Sequence, residues 1–272
     1  MTDDGPLSLA FSPCPNDTFV FHAWTHGLVE GPPVEVTFAD VDITNTATEQ
    51  GAYDVAKVSY AALPWLLADY RLLPTGGALG RGCGPLVLTT GGLGSLDGAT
   101  VAVPSERSTA YLLMRLWAEG QRPERIDVVP FAEIMPAVRD GKYDAGLVIH
   151  EARFTYPNYG LTALADLGAW WESDTGLPIP LGAILARRSL DAGALTAAIR
   201  ASVEHAWAHP EDSRSYIAEH ADEMSADVQA QHIALYVNDF TLDLGEEGFA
   251  AASALLERAH RAGLTPPSPT LR

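Results

Sequence analysis

The residue best placed for chemistry is His150. It closes the run Asp144-Ala145-Gly146-Leu147-Val148-Ile149-His150, which is short and almost wholly apolar. Gly141 precedes the run and Tyr156-Pro157 follows it. Such a run reads as a buried strand, as in a parallel sheet. Open α/β sheets bind ligands beyond the carboxyl ends of their strands. An imidazole there can take or give a proton near neutral pH. The plainer reading is a strand-end histidine that hydrogen-bonds a loop.

Three other strand ends carry polar groups that would converge with it. Leu7 to Ser12 alternates like a strand, and Pro13-Cys14-Pro15 stops it. Asn16 or Asp17 then caps a helix over 18–26 that ends at Gly27. Ser12 and Asn16 therefore frame a turn with free amide donors, stiffened by two prolines around one cysteine. An ordinary βα loop would read the same way. Lys57, Val58 and Ser59 end a strand over 54–59. Lys57 shares a face with Val55 and Ser59, so it needs either an ion partner or a head that reaches a cleft. Ser108 and Thr109 follow a strand over 100–104 and open a helix that runs to Gly120. Either they cap that helix, or their hydroxyls and the adjacent amides hold an anion.

The elements behind these ends repeat. Gly51-Ala52-Tyr53-Asp54-Val55-Ala56-Lys57-Val58 parallels Gly141-Lys142-Tyr143-Asp144-Ala145-Gly146-Leu147-Val148, and each copy follows a strand and a helix. In that register Tyr60 matches His150. The fold class is α/β, with two similar lobes facing one cleft. The expected division is a larger discontinuous lobe of residues 1–90 plus 186–272 and a smaller one of residues 91–185. Two strands, near 86–90 and 183–187, would cross between them, and the middle third would have its own core. A helix is expected from Tyr60 to about Tyr70, and helices dominate after residue 192.

Other chemistries lack their motifs. No GxSxG, CxxC or HExxH occurs. His150 and Glu151 are adjacent and on a strand would face opposite ways, so they cannot chelate one ion. His22/His26 and His205/His209 are each four apart on expected helices, which binds metal only with a third ligand. The glycine-rich passage 76–84 lacks the strand–GxGxxG–helix context and any GK[ST], so it is not a nucleotide site. Phe154, Tyr156, Trp170 and Trp171 could stack on an aromatic ligand or simply pack.

The chain has 272 residues and a formal charge of −18. That disfavours nucleic acid and anionic membrane as partners, since both require a basic face. No apolar run approaches the length of a membrane span, and residues 1–8 do not read as a signal peptide. Cys14 and Cys83 have no metal spacing and are expected unpaired, in a reducing, cytoplasmic setting.

Several motifs together resemble one family. They are Ser12-Pro13-Cys14-Pro15-Asn16-Asp17-Thr18-Phe19, Ala56-Lys57-Val58-Ser59-Tyr60, the Gly-Arg-Gly-Cys-Gly-Pro stretch at 80–85, Ser108-Thr109-Ala110-Tyr111, and His150-Glu151-Ala152-Arg153-Phe154-Thr155-Tyr156. Their order and identity are similar to the 1,4-dihydroxy-6-naphthoate synthases of the futalosine route to menaquinone, from about Leu7 to Arg188 and more weakly beyond. The resemblance implies a two-lobed periplasmic-binding-protein-like (type II) fold. It implies conversion of cyclic dehypoxanthine futalosine, a small anionic aromatic substrate, to 1,4-dihydroxy-6-naphthoate and dihydroxyacetone. It implies His150 as proton acceptor, and Lys57, Val58, Ser59, Ser108 and Thr109 as substrate-binding. Family members carry two threonines where this chain has Ser108-Thr109, and both hydroxyls are kept. No metal or organic cofactor is expected. The alternatives are the chorismate dehydratase of the same pathway and a non-catalytic solute-binding protein of the same fold.

Overall fold

The computed structural model describes residues 5–150, 152–221 and 225–271. The first sheet takes β1 (Leu7–Phe11), β2 (Val34–Phe38), β3 (Val55–Ser59) and β4 (Tyr70–Gly80). Between them lie α1 (Pro15–Thr25), α2 (Val41–Glu49) and α3 (Leu63–Leu66). The second sheet takes β5 (Leu86–Thr89), β6 (Thr100–Val103), β7 (Arg125–Val128), β8 (Ala145–Val148) and β9 (Thr162–Asp166), with α4 (Thr109–Trp117), α5 (Phe131–Arg139) and α6 (Ala152–Thr155). After α7 (Leu167–Thr175), β10 (Ile179–Arg187) returns to the first sheet. The chain closes with α8 (Ala192–Ala208), α9 (Arg214–His220), α10 (Ala226–Tyr236), α11 (Asp239–Leu242) and α12 (Gly245–Arg261).

The two sheets are copies in topology. Their strand orders are β2-β1-β3-β10-β4 and β7-β6-β8-β5-β9. In each, three parallel strands are followed by an antiparallel strand sent from the other half of the chain. The repeated Gly-x-Tyr-Asp has a physical cause. Gly51 and Gly141 turn the chain at φ +76° and +73°, which only glycine adopts cheaply. The aspartate that follows braces the start of the parallel strand beside it, β1 in the first sheet and β6 in the second. Asp54 accepts from the Ser8 amide and hydroxyl at 2.9 Å each, and Asp144 accepts from the Thr100 amide and hydroxyl at 2.8 Å each. Those donors hold the Asp144 carboxyl below its ordinary range.

Sheet membership corrects the expected lobe boundaries. β5 pairs with β8 and β9, and β10 pairs with β3 and β4. The chain therefore crosses at 81–85 and again between β9 and β10, earlier than 90 and 185 in both cases. The first crossing is tight. A Cβ on Gly84 would lie 2.1 Å from the Gly168 amide nitrogen at the start of α7. Arg153 fastens the place, donating to the Gly84 carbonyl at 2.8 Å and to Asp166 at 2.5 Å. Asp166 in turn caps α7 through the Gly168 and Ala169 amides.

The middle third does not have a wholly separate core. The largest buried cluster joins Val58, Tyr60 and Leu63 of one half to Val101, Leu113 and Leu147 of the other. α12 extends it with Ala251, Ala252, Leu255 and Leu256. Leu9, Phe11, Phe21, Ile184 and Ile199 form a second cluster behind the first sheet, and Leu88, Ile134 and Val148 a third behind the second.

The helix expected over 60–70 is only a 3-10 turn, Tyr60–Ala62, and the short α3. The chain then enters β4, whose second half is the start of the glycine-rich passage. β4 is an edge strand, where Pro74 loses no ladder bond. Gly76, at φ +78°, and Gly77, against the Gly182 carbonyl, let it bend where its register with β10 shifts.

Candidate active site

The carboxyl ends of β1, β3 and β8 and the start of α4 meet at a cleft between the two sheets. It holds about 730 Å³ of free space, part of it open solvent. Its polar wall includes Ser12, Asn16, Asp17, Lys57, Ser59, Ser108, Thr109, His150 and His232. Its apolar wall includes Ala78, Ile149, Leu181 and Tyr236.

One corner is built on Asp17. Asn16 and Asp17 were expected to cap α1, but the N-cap is Cys14 and Pro15 begins the helix. Proline suits that position because its missing N–H would have had no partner. Asp17 then turns inward, with 2% exposure. It accepts from the Ser12 hydroxyl at 2.7 Å and from Asn16 Nδ2 at 2.7 Å, and it forms an ion pair with Lys57. Lys57 thus has the buried ion partner that its strand position required. Its stem passes over Gly182, where a Cβ would come within 2.8 Å of Lys57 Cε. Its positive charge is consequently met inside the protein.

Ser59 is held by Asn45 of α2, which accepts from the Ser59 amide at 2.8 Å and donates to its hydroxyl at 3.2 Å. Val58 is fully buried, and its side chain joins the core rather than the cleft, as strand alternation dictates. Ser108 caps α4: its hydroxyl oxygen accepts from the Tyr111 amide at 3.1 Å, and its proton goes to the Ser105 carbonyl at 3.2 Å. The Thr109 hydroxyl bridges the halves, donating to the Leu181 carbonyl at 2.8 Å and accepting from the Ala61 amide at 3.2 Å. Both hydroxyls are therefore engaged within the protein. The amides of Thr109 and Ala110 stand in the first turn of α4, without intrahelical partners.

His150 stands just beyond β8, half-buried. Its φ is +53°, and it is the only non-glycine residue with positive φ among the described residues. Such a backbone costs on the order of 1–3 kcal/mol and collects at functional sites. Its Nδ1 lies 3.7 Å from Cys14 Sγ, across the cleft. Its ring meets Phe131 edge-on at 5.9 Å and lies near-parallel to His232 at 6.2 Å. Glu151, expected to point away from it, lies outside the described residues.

The structure therefore brings Ser12, Asn16, Lys57, Ser59, Ser108, Thr109 and His150 to one cleft and leaves the Val58 side chain out. It adds Asp17 and His232, with Asn45 bracing Ser59 from behind. His232 is fully buried. Burial first, then the neighbouring His150 and Lys57, push its pKa down to about 3. Its sequence signal was weak: a histidine on the same helical face as Val228 and Tyr236. Phe154, Tyr156, Trp170 and Trp171 do not line the cleft, and Trp171 is core. Cys83 is buried and unpaired, its thiol pushed up to about 12 mainly by burial. The helical histidine pairs gather no third ligand, and no group of three or more potential metal-binding side chains occurs among the described residues.

Comparison with known proteins gives the family. A family model described as menaquinone biosynthesis matches residues 7–261. The 1,4-dihydroxy-6-naphtoate synthase of Streptomyces coelicolor is 65% identical, over 96% of this chain and 95% of that protein. A protein of the same name from Thermus thermophilus is 51% identical, over 97% of each chain. The crystal structure of an Archaeoglobus fulgidus protein superposes with a TM-score of 0.90 at 34% identity, covering 97% of this chain and 100% of that one. The periplasmic aliphatic sulphonate binding protein of Escherichia coli, 15% identical, gives a TM-score of 0.69 over 98% and 90% of the two chains. That likeness places the fold among periplasmic-binding-protein-like folds. On the match across nearly its whole length, the chain belongs to the menaquinone biosynthesis family.

Proposed function

We propose that the protein is a carbon–carbon lyase that splits cyclic dehypoxanthine futalosine into 1,4-dihydroxy-6-naphthoate and dihydroxyacetone. The observation that carries the reading is His150, held in a left-handed conformation at a strand end and facing the cleft. The name of the Streptomyces coelicolor relative, at 65% identity, supports it. In this reading His150 is the general base. It takes a proton from the sugar-derived part of the substrate. The carbon–carbon bond to the three-carbon fragment then breaks, and aromatisation of the second ring drives the step. Substrate and products balance without a co-reactant. Amides at the start of α4 hold the carboxylate, and donors from both halves of the cleft stabilise developing oxyanions. The apolar wall of Ile149, Leu181 and Tyr236 suits the aromatic rings. A cytoplasmic location belongs to the same proposal, in keeping with two unpaired cysteines.

Incubation of the purified protein with cyclic dehypoxanthine futalosine and with chorismate, followed by mass spectrometry, tests the reading. Release of dihydroxyacetone from the first supports it. Turnover of chorismate, or tight binding with no turnover of either, refutes it. His150→Asn should lower kcat by about 10²–10⁴-fold while product affinity stays within about tenfold. A variant with near-wild-type turnover would make His150 structural.

A further inference from the structure

His232 differs from the other polar side chains of the cleft. Ser12, Asn16, Ser59, Ser108 and Thr109 each hold a hydrogen-bond partner inside the protein. His232 is 0% exposed, and neither of its ring nitrogens has a partner among the described residues. A buried polar group left unmet destabilises a fold, and native structures contain few. The place is otherwise suited to an apolar side chain, since the neighbouring ring on α10 is Tyr236, at 4.6 Å. Yet an imidazole stands there, on the wall of the cleft, with the His150 ring 6.2 Å away.

Burial and the nearby Lys57 and His150 keep this ring neutral. A neutral imidazole carries one N–H donor and one acceptor nitrogen. Held neutral, it serves as a hydrogen-bonding group rather than as the base. What it can supply, from a fully buried place on the cleft wall, is a fixed hydrogen bond to an oxygen that gains charge.

We propose that His232 is a second substrate-contacting imidazole of this site, donating its ring N–H to the substrate oxygen beside the carbon that His150 deprotonates. The inference rests on the lyase reading above. In the step, the C–H proton passes to His150. The electron pair left behind shifts onto the neighbouring oxygen. The hydrogen bond from His232 shortens as that oxygen becomes anionic, and His232 itself loses no proton.

The test compares wild type, His232→Leu and His232→Asn in turnover of cyclic dehypoxanthine futalosine and in thermal melting near neutral pH. His232→Leu should keep or raise the melting temperature, because it removes the unmet polar atoms. Its kcat/KM should nevertheless fall by about 10²-fold or more, as when an oxyanion donor is removed. His232→Asn, which keeps an N–H donor, should recover about tenfold or more over the leucine variant. A leucine variant within about threefold of wild-type kcat/KM overturns the proposal. So does a parallel loss of stability and activity in both variants, which marks a structural residue. If the leucine variant does not fold, His232→Met stands in for it: kcat/KM within about threefold of wild type overturns the proposal, and a loss of about 10²-fold at an unchanged melting temperature supports it. A wild-type protein that leaves the substrate untouched refutes the lyase reading, a separate result, and removes the ground for this one.

Discussion

Removing the His232 imidazole should flatten the acid side of the stability curve. The folded-state pKa of His232 is pushed down to about 3 from an ordinary 6.5. In the unfolded chain the ring takes up a proton as the pH falls through 6.5, and in the folded protein it does not. The unfolded state then binds more protons, so stability falls with falling pH. The full contribution is present above about pH 6.5 and is lost progressively down to about 3.

At about pH 5 the medium lies roughly one and a half pH units below the unfolded value. At about 1.4 kcal/mol per unit that is a loss of about 2 kcal/mol relative to pH 8. The ring is fully buried, so solvent screening does not shrink the figure. Urea unfolding at both pH values, for wild type and His232→Leu, isolates the residue as a difference of differences. The other histidines and the carboxylates titrate in both proteins and cancel. The leucine variant should lose about 2 kcal/mol less than wild type over this range. Equal losses would mean that the ring is hydrated or paired in solution, and the reasoning from burial would fail.

Asp17→Ala leaves Lys57 buried, at 8% exposure, and without its carboxylate. Removing one partner of a buried pair typically costs about 3–5 kcal/mol. Chemical denaturation should show a loss in that range, and a loss under about 1 kcal/mol would place Lys57 in water instead. Replacing Ser108 and Thr109 together by alanine removes one helix cap and the bridge from Thr109 to Leu181 and Ala61. Stability should fall by about 2–3 kcal/mol. Calorimetric affinity for the naphthoate product should weaken by less than about tenfold, since the backbone amides remain. A larger affinity loss at unchanged stability would show that the hydroxyls themselves hold the ligand.

Much of this was legible because the sequence states local rules twice. The Gly-x-Tyr-Asp repeat implied matching lobes, and the two aspartates brace Ser8 and Thr100 in the same way. Lys57 among apolar neighbours implied an ion partner, and Asp17 is that partner. Sequence could not name it, because the partner is 40 residues away and Asp17 reads equally well as a helix cap. β4 was hidden for a related reason. Pro74, Gly76 and Gly77 argue against a strand by propensity, and only an edge position against β10 makes them tolerable. The lobe boundaries slipped because β5 and β10 are apolar strands whose sheet is fixed by long-range pairing, which no local pattern encodes.

The charge of the cleft follows from the same long-range pairing. A chain of formal charge −18 repels an anion at a distance, so attraction must be local. Lys57 was the obvious source from sequence, but Asp17 neutralises it, and Arg107 and Arg153 beside the cleft pair with Glu49 and Asp166. What remains is dipolar: amides in the first turn of α4, whose end carries about half a positive charge, and the neutral ring of His232. On the proposed mechanism, fixed dipoles hold the developing oxyanion without placing a counter-charge beside His150. On the same proposed mechanism, a cation there would depress the basicity of the imidazole that takes the proton. Pairing Lys57 with Asp17 thus keeps a rigid lysine stem in the wall of the cleft while sparing the base the field of an unpaired ammonium group.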